Sequence, residues 1–273
     1  TSRLTDSFSM SYVQIMFQRN TRNDMTEELK QQLREWADRY ETASFVSSDP
    51  VQFPRLAYLM EYPFHLKEDE KRRIETIAVI TSWLSYGNRE QIIKTADKVF
   101  EIVNNKYFLE YGCYKRFEND NRTLYRFFRW SDLFVLCERL SVIYAVYPTL
   151  ENYVLQMSSS PLEGMIHAFR GVKGFPINKT SACKRLCMLL RWLVRRNSPV
   201  DIGCWTSFDA SSLIIPLDTH VHRMAVELGL TKRNTADMTT SLEITEALKE
   251  VFPEDPTRGD FALFGYGIEH KSK

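Results

Sequence analysis

Residues 214–230 read IIPLDTHVHRMAVELGL and residues 181–196 read SACKRLCMLLRWLVRR. In the first stretch Pro216 precedes Asp218, which stands where a helix N-cap belongs. Val221, Ala225 and Leu228 then recur at helical spacing, and Gly229 stops the run. In the second stretch Lys184, Arg191 and Arg195 share one helix face, while Leu186, Leu189, Leu190 and Leu193 line the other. Between them lies SSLIIPLD, 211–218, the best period-two alternation in the chain and a candidate strand.

Working outward, the chain reads as helix after helix. MTEELKQQLREWADRY opens at Met25 with acidic residues in its first turn, and Leu29, Leu33, Trp36 and Tyr40 fall at helical spacing. DPVQFP, 49–54, is a proline-punctuated loop; KEDEKRRIETIAVITSWLSYG is a helix with a polar start and a buried centre, stopped at Gly87. REQIIKTADKVFEIV, an aromatic stretch from Tyr107 to Trp130, DLFVLCERLSVIYAVY and LEGMIHAFRG follow. With glycine and proline at only 10 each in 273 residues, the expected class is all-α, with about ten or more helices. Residues 1–24 show no sustained period and are expected to be a loose extension upstream of a natural start at Met25.

A chain of this length with 44% hydrophobic and 26% charged residues buries a core without staples. Its five cysteines include no CxxC pair, which points to reduced thiols rather than a disulfide framework or a zinc knuckle. No apolar run reaches the length of a membrane span, and the first residues lack a secretory layout, so a cytoplasmic protein is expected.

The formal charge of +1 conceals a polarised chain. From Gly164 to Val200 there is no Asp or Glu, while Arg170, Lys173, Lys179, Lys184, Arg185, Arg191, Arg195 and Arg196 give +8. Residues 1–163 carry −2 and residues 201–273 carry −5. Such a one-signed run suits a solvated face or a surface that meets a polyanion; the latter makes DNA the expected partner, held through its phosphates.

Asp218 reads two ways, as a capping carboxylate or as a functional one. His220 and His222 beside it form an H-x-H that would suit a metallohydrolase, although the other histidines are isolated and strand candidates are few. The pattern L-D-T-H-V-x-R-x-x-x-x-L-G-L, 217–230, resembles the segment that carries the catalytic aspartate in the helix-hairpin-helix DNA glycosylases of the endonuclease III superfamily. SACKRLCMLLRW resembles that superfamily's lysine-bearing helix, IAVITSWLSYGNREQIIKTADKVF its early helix pair, and GDFALFGYG its closing helix. From about residue 45 onward the chain resembles a bacterial family of unknown function distantly related to those glycosylases.

The resemblance implies two helical domains flanking a cleft: 25–74 with 216–273, and a helical barrel, 75–215. It implies Lys184 as a Schiff-base nucleophile, with Lys179 as its rival, and Asp218 as the carboxylate that stabilises a sugar cation. The implied activity is that of a DNA glycosylase with lyase activity, with oxidised purines as the substrate class of the nearest branch, the archaeal 8-oxoguanine glycosylases. Asn88 and Arg89 match the position that fills the gap left by an extruded base; Trp192, Trp205, Phe208, Phe264 and Tyr266 are candidates to stack on that base. Arg185, Arg191, Arg195, His220 and Asp260 complete the candidate DNA and pocket residues. Two alternatives stay open, a non-catalytic DNA-binding protein on the same fold and a metal-dependent hydrolase through Asp218, His220 and His222. Where the superfamily has a glycine-rich hairpin before its lysine, this chain has FPINKTSAC. The spacing from Lys184 to Asp218 is longer than in endonuclease III relatives, and DIGCWTSFDASSL, 201–213, is the candidate insertion. No cysteine follows Cys204, so no iron–sulfur cluster, cofactor or resident metal is expected.

Overall fold

The computed structural model describes residues 25–61, 66–103, 109, 112–176 and 180–269. The expected extension, 1–24, and Lys179 lie outside them. The described residues are predominantly helical. Twelve α-helices follow in order: α1 (Glu27–Tyr40), α2 (Ala43–Val46), α3 (Gln52–Glu61), α4 (Glu68–Leu84), α5 (Arg89–Val103), α6 (Trp130–Val146), α7 (Leu150–Met157), α8 (Pro161–Ala168), α9 (Lys184–Val194), α10 (Thr219–Glu227), α11 (Met238–Lys249) and α12 (Arg258–Glu269). Among the described residues no single helix is long and apolar enough to cross a membrane.

The helices start where short polar side chains satisfy orphan backbone amides. Thr26 Oγ1 accepts from Leu29 N at 3.3 Å, Thr149 Oγ1 from Asn152 N at 3.2 Å and Asp237 Oδ1 from Thr240 N at 2.9 Å. α10 ends as its pattern predicts, with Gly229 in the left-handed region at φ 72°.

The expected strand at 211–218 does not form. Residues 210–212 make a 3₁₀ turn, and the extended residues after it have no partner strand; Ile215 N donates instead to Thr245 Oγ1 at 3.1 Å. The one sheet among the described residues is a small antiparallel hairpin, β1 (Thr123–Tyr125) and β2 (Phe128–Arg129), inside the aromatic stretch. Its two-residue turn places Arg126 at φ 53°.

Buried apolar side chains form two clusters. The larger gathers the inner faces of α4 to α9, with Trp83, Phe128, Trp192 and Trp205 at its centre, and takes in Val51, Ala57 and Ile74. The smaller joins Leu33 and Ala37 of α1 to Val221 and Ala225 of α10, Ile244 and Leu248 of α11 and Leu263 of α12, with Ala182 from the turn before α9. Within the larger cluster Glu75 is fully buried, yet every contact to it is a donor. Leu150 N (2.8 Å) and Glu151 N (3.1 Å) from the start of α7, Trp205 Nε1 (2.8 Å) and Tyr144 Oη (3.1 Å) all point at its carboxyl group.

Candidate active site

α9 begins abruptly. Cys183 takes φ 48°, its amide donates to Ser181 Oγ at 3.1 Å, and the helix runs from Lys184 onward. On α9 the residues Lys184, Met188 and Arg191 recur every three or four positions and so share a face. That face opens on a cleft, also lined by Phe45 and Asp49 from the region of α2, Arg89 at the start of α5, Pro216 and Asp218 before α10, and Asp260 and Phe264 on α12. The cleft encloses about 340 Å³, its solvent-open mouth included. Thus Lys184 and Asp218 line one cleft, together with Arg89, Asp260 and Phe264.

Three cations and three carboxylates line this space, and most of them are committed to one another. Arg191 forms an ion pair with Asp260. Arg89 lies 3.5 Å from Asp49 Oδ2, and its guanidinium sits over the Phe45 and Phe264 rings at 5.5 and 5.1 Å. Asp218 spends only one oxygen on its cap: Oδ1 accepts from His220 N (2.9 Å) and Val221 N (3.0 Å), leaving Oδ2 outside the cap. Among the described residues no side-chain ion pair closes on Lys184 or on Asp218. Both are nevertheless felt by Asp260. Burial pushes its carboxyl up to about 6; Arg191 pulls it down, the Asp218 charge pushes it further up and Lys184 pulls it down.

The rest of the basic run does not form the expected polyanion-facing stripe. Arg191 and Arg195 are buried, and carboxylates near and far in sequence meet them. Arg195 pairs with Asp201 (2.5 Å), Asp255 (2.7 Å) and Glu41 (2.8 Å); Arg191 Nε faces Asp201 Oδ1 across 3.3 Å without hydrogen-bond alignment. Burial works against both positive charges, and the carboxylates overcome it, holding both guanidiniums above the usual arginine value. Two of the eight cations of that segment, Arg191 and Arg195, are therefore neutralised in the interior by Glu41, Asp201, Asp255 and Asp260. Arg185 is structural as well. Its Nη1 donates to Trp83 O at 2.8 Å and Nη2 to Gly174 O, and partial burial lowers it to about 10.

Several expected site residues lie elsewhere. Trp205 is a core residue spent on Glu75, with Phe208 buried 6.0 Å from it between ring centres. Trp192 is fully buried, and Tyr266 stacks on Trp36 at 3.9 Å. Asn88 is exposed and receives Gln91 N at 3.1 Å, which makes it the cap of α5. His220 borders the cleft edge-on to Phe264, at 6.1 Å between ring centres, while His222 Nε2 lies 2.9 Å from Arg233 O. Among the described residues no three of the His, Cys, Asp and Glu side chains stand together as a metal-ligand set, so the H-x-H reading lacks its ligands.

Phe45, Asp49, Met188 and Pro216 were not anticipated. Met188 was within reach, one turn beyond Lys184 on the same face. Phe45 and Asp49 arrive from more than a hundred residues upstream, and only the proline-punctuated DPVQFP marks their neighbourhood. No curated protein and no solved structure matches the chain. Residues 62–269, which hold every lining residue except Phe45 and Asp49, match the family described as protein of unknown function (DUF2400), and the chain belongs to that family.

Proposed function

We propose that this protein is a DNA glycosylase with lyase activity, on a fold of the helix-hairpin-helix glycosylase type, acting on a damaged base through an imine on Lys184. One observation carries the reading. Lys184 at the start of α9 and Asp218 at the cap of α10 line one cleft and are the charged groups there that no ion pair consumes. An amine and a carboxylate held together serve a reaction in which a sugar carbon turns cationic and is captured by nitrogen.

The free-amine form of Lys184 Nζ attacks C1′ as the C1′–N glycosidic bond breaks. The base leaves with that electron pair and takes up a proton, and the amine sheds one. The Asp218 carboxylate stabilises the positive charge on the sugar, favoured in turn by its helix N-terminus. Ring opening gives the imine, with O4′ protonated. Loss of a C2′ proton then expels the 3′ phosphate by β-elimination, and water releases the sugar fragment and regenerates Lys184. Phe45 and Phe264 pack edge to face at 6.2 Å with Arg89 over both rings, so an extruded base that stacks on them competes with Arg89 for their faces.

Borohydride converts such an imine to a stable amine, so the test is trapping on duplexes that carry 8-oxoguanine, other oxidised bases or an abasic site. A covalent adduct with the native chain and none with Lys184→Ala is the expected result. No adduct on any substrate, alongside salt-dependent DNA binding, favours the non-catalytic reader instead.

A further inference from the structure

The turn between α4 and α5, Ser85 to Asn88, presents a feature that the cleft chemistry does not use. Tyr86 is 46% exposed, and so is Phe127 at the tip of the β1–β2 hairpin; the two rings meet edge to face at 5.2 Å. Large aromatic rings left half in water beside each other form an informative surface, unlike a lone exposed leucine.

This pair is built rather than loose. Tyr125 Oη donates to Tyr86 O at 2.8 Å, tying the hairpin to the turn. Arg126 holds a left-handed conformation, and its guanidinium lies against Gly87 so closely that a Cβ there would fall 2.6 Å from Arg126 Cζ. Gly87 itself sits at φ 100°. The same guanidinium covers the Tyr86 ring at 5.5 Å, and Arg185 approaches that ring from the other element at 5.7 Å. Lys173 Nζ bonds Phe127 O and Asp132 Oδ2, each at 2.6 Å, and braces the tip. Arg126 and Arg129 of the hairpin are exposed, and among the described residues neither guanidinium has a carboxylate partner; the Arg129 amide donates to Asp132 Oδ2 at 2.7 Å and its Nη1 to Asn121 Oδ1 at 3.2 Å.

We propose that Tyr86 and Phe127 form a stacking platform for the unpaired bases of single-stranded nucleic acid, with Arg126 and Arg129 meeting its phosphates. Planar rings interleaved with unpaired guanidiniums complement a strand that alternates planar bases with anionic linkers. An apolar protein surface would leave those two cations without a counterpart. Tyr86 neighbours the elements that line the cleft, since it precedes Arg89 by three residues and its ring meets Arg185, which follows Lys184 on α9. Binding here does not depend on the imine chemistry, and the two ideas fail separately.

The test is fluorescence anisotropy of the full chain with a dye-labelled oligothymidylate of about twelve nucleotides, a length within the usual site sizes of such surfaces. The native chain is expected to bind, with affinity falling as salt rises. Phe127→Ala and Tyr86→Ala should each weaken binding about tenfold, the scale of one lost base–aromatic stack. Arg126→Asn, a residue that tolerates the left-handed conformation, should flatten the salt dependence. Phe127→Leu keeps apolar bulk but removes the planar face, so it carries the test if the alanine variant unfolds. Absence of binding at low salt, or Phe127→Leu binding as tightly as the native chain, would overturn the proposal; preference for a peptide probe over the oligonucleotide would do the same.

Discussion

Arg195 Nη1 lies 2.5 Å from Asp201 Oδ2, with 4% and 0% of the two side chains exposed. The chain leaves the end of α9 and doubles back within six residues to bring this carboxylate beneath both Arg195 and Arg191. A buried pair of this kind adds little net stability over an apolar replacement, but removing one partner leaves the other charge stranded. Asp201→Ala is therefore expected to destabilise the protein by about 3 kcal/mol or more, read by urea denaturation. Arg196→Ala, half exposed and 4.0 Å from Asp209, should stay within about 0.5 kcal/mol of the native chain. Equal values for the two variants would contradict the interior role given to Asp201.

Gly203 sets up that return. Its amide and that of Ile202 donate to Trp192 O at 3.0 and 2.8 Å, closing the end of α9. At φ 64° the residue is left-handed, and a Cβ would fall 2.5 Å from Arg195 O, a backbone atom that cannot swing aside. Gly203→Ala should cost about 3 kcal/mol, conformational strain and overpacking together. Gly171 isolates the first part, because it has φ 82° but nothing within 4 Å of a Cβ. Gly171→Ala should cost about 1 kcal/mol by the same denaturation measurement.

The helices were legible because their periods and caps are local. Asp218 caps the helix that its position announces, the acidic first turn after Met25 opens α1, and Gly229 stops α10. The fate of the basic run was not legible, because burial depends on partners that spacing cannot reveal. Glu41 lies 154 residues from Arg195, Asp255 60 residues from it, and Asp260 69 residues from Arg191. A face of arginines reads the same whether water or carboxylates will cover it. The alternation at 211–218 misled for a related reason, since a strand requires a neighbour and this segment finds only Thr245. The hairpin at 123–129 is too short to show a period at all. Within the cleft, Asp260 and Phe264 stand one turn apart on α12 and were accessible from sequence, whereas Asp49 reaches the cleft only through the tertiary fold.

Glu75 makes stability depend on pH in a definite direction. Burial pushes its carboxyl up to about 7, against the Leu150 and Glu151 amides, the Lys71 charge and the Trp205 indole, which pull it down. The folded chain thus holds this proton more tightly than the unfolded chain, where the ordinary glutamate value is 4.5. The stability linked to it is full below pH 4.5 and is lost as pH rises through about 7. The gap corresponds to about 3 kcal/mol. Glu75→Gln should remove this slope between pH 4.5 and 7, whatever its constant offset, in urea denaturation at several pH values. Parallel pH profiles for the two chains would show that Glu75 does not titrate in that window.

Asp218 caps α10, and substitution separates that role from the electrostatic one the proposed reaction assigns to it. Asparagine caps a helix about as well as aspartate, so Asp218→Asn should keep the bonds to the His220 and Val221 amides and change stability by less than about 0.5 kcal/mol. Asp218→Ala should lose about 1 kcal/mol with the cap. If the carboxylate stabilises the sugar cation, both variants should lower the rate of base release by about a hundredfold or more, the usual scale for removing one electrostatic stabiliser. On a preformed abasic site the base has already gone, and the two variants should trap far closer to the native rate. Lys184→Ala should give no adduct on either substrate. Time-resolved borohydride trapping on the two duplexes measures all of this. A catalytic Asp218 predicts a defect that tracks charge and substrate; a purely capping Asp218 predicts one that tracks stability, with Asp218→Asn behaving as the native chain.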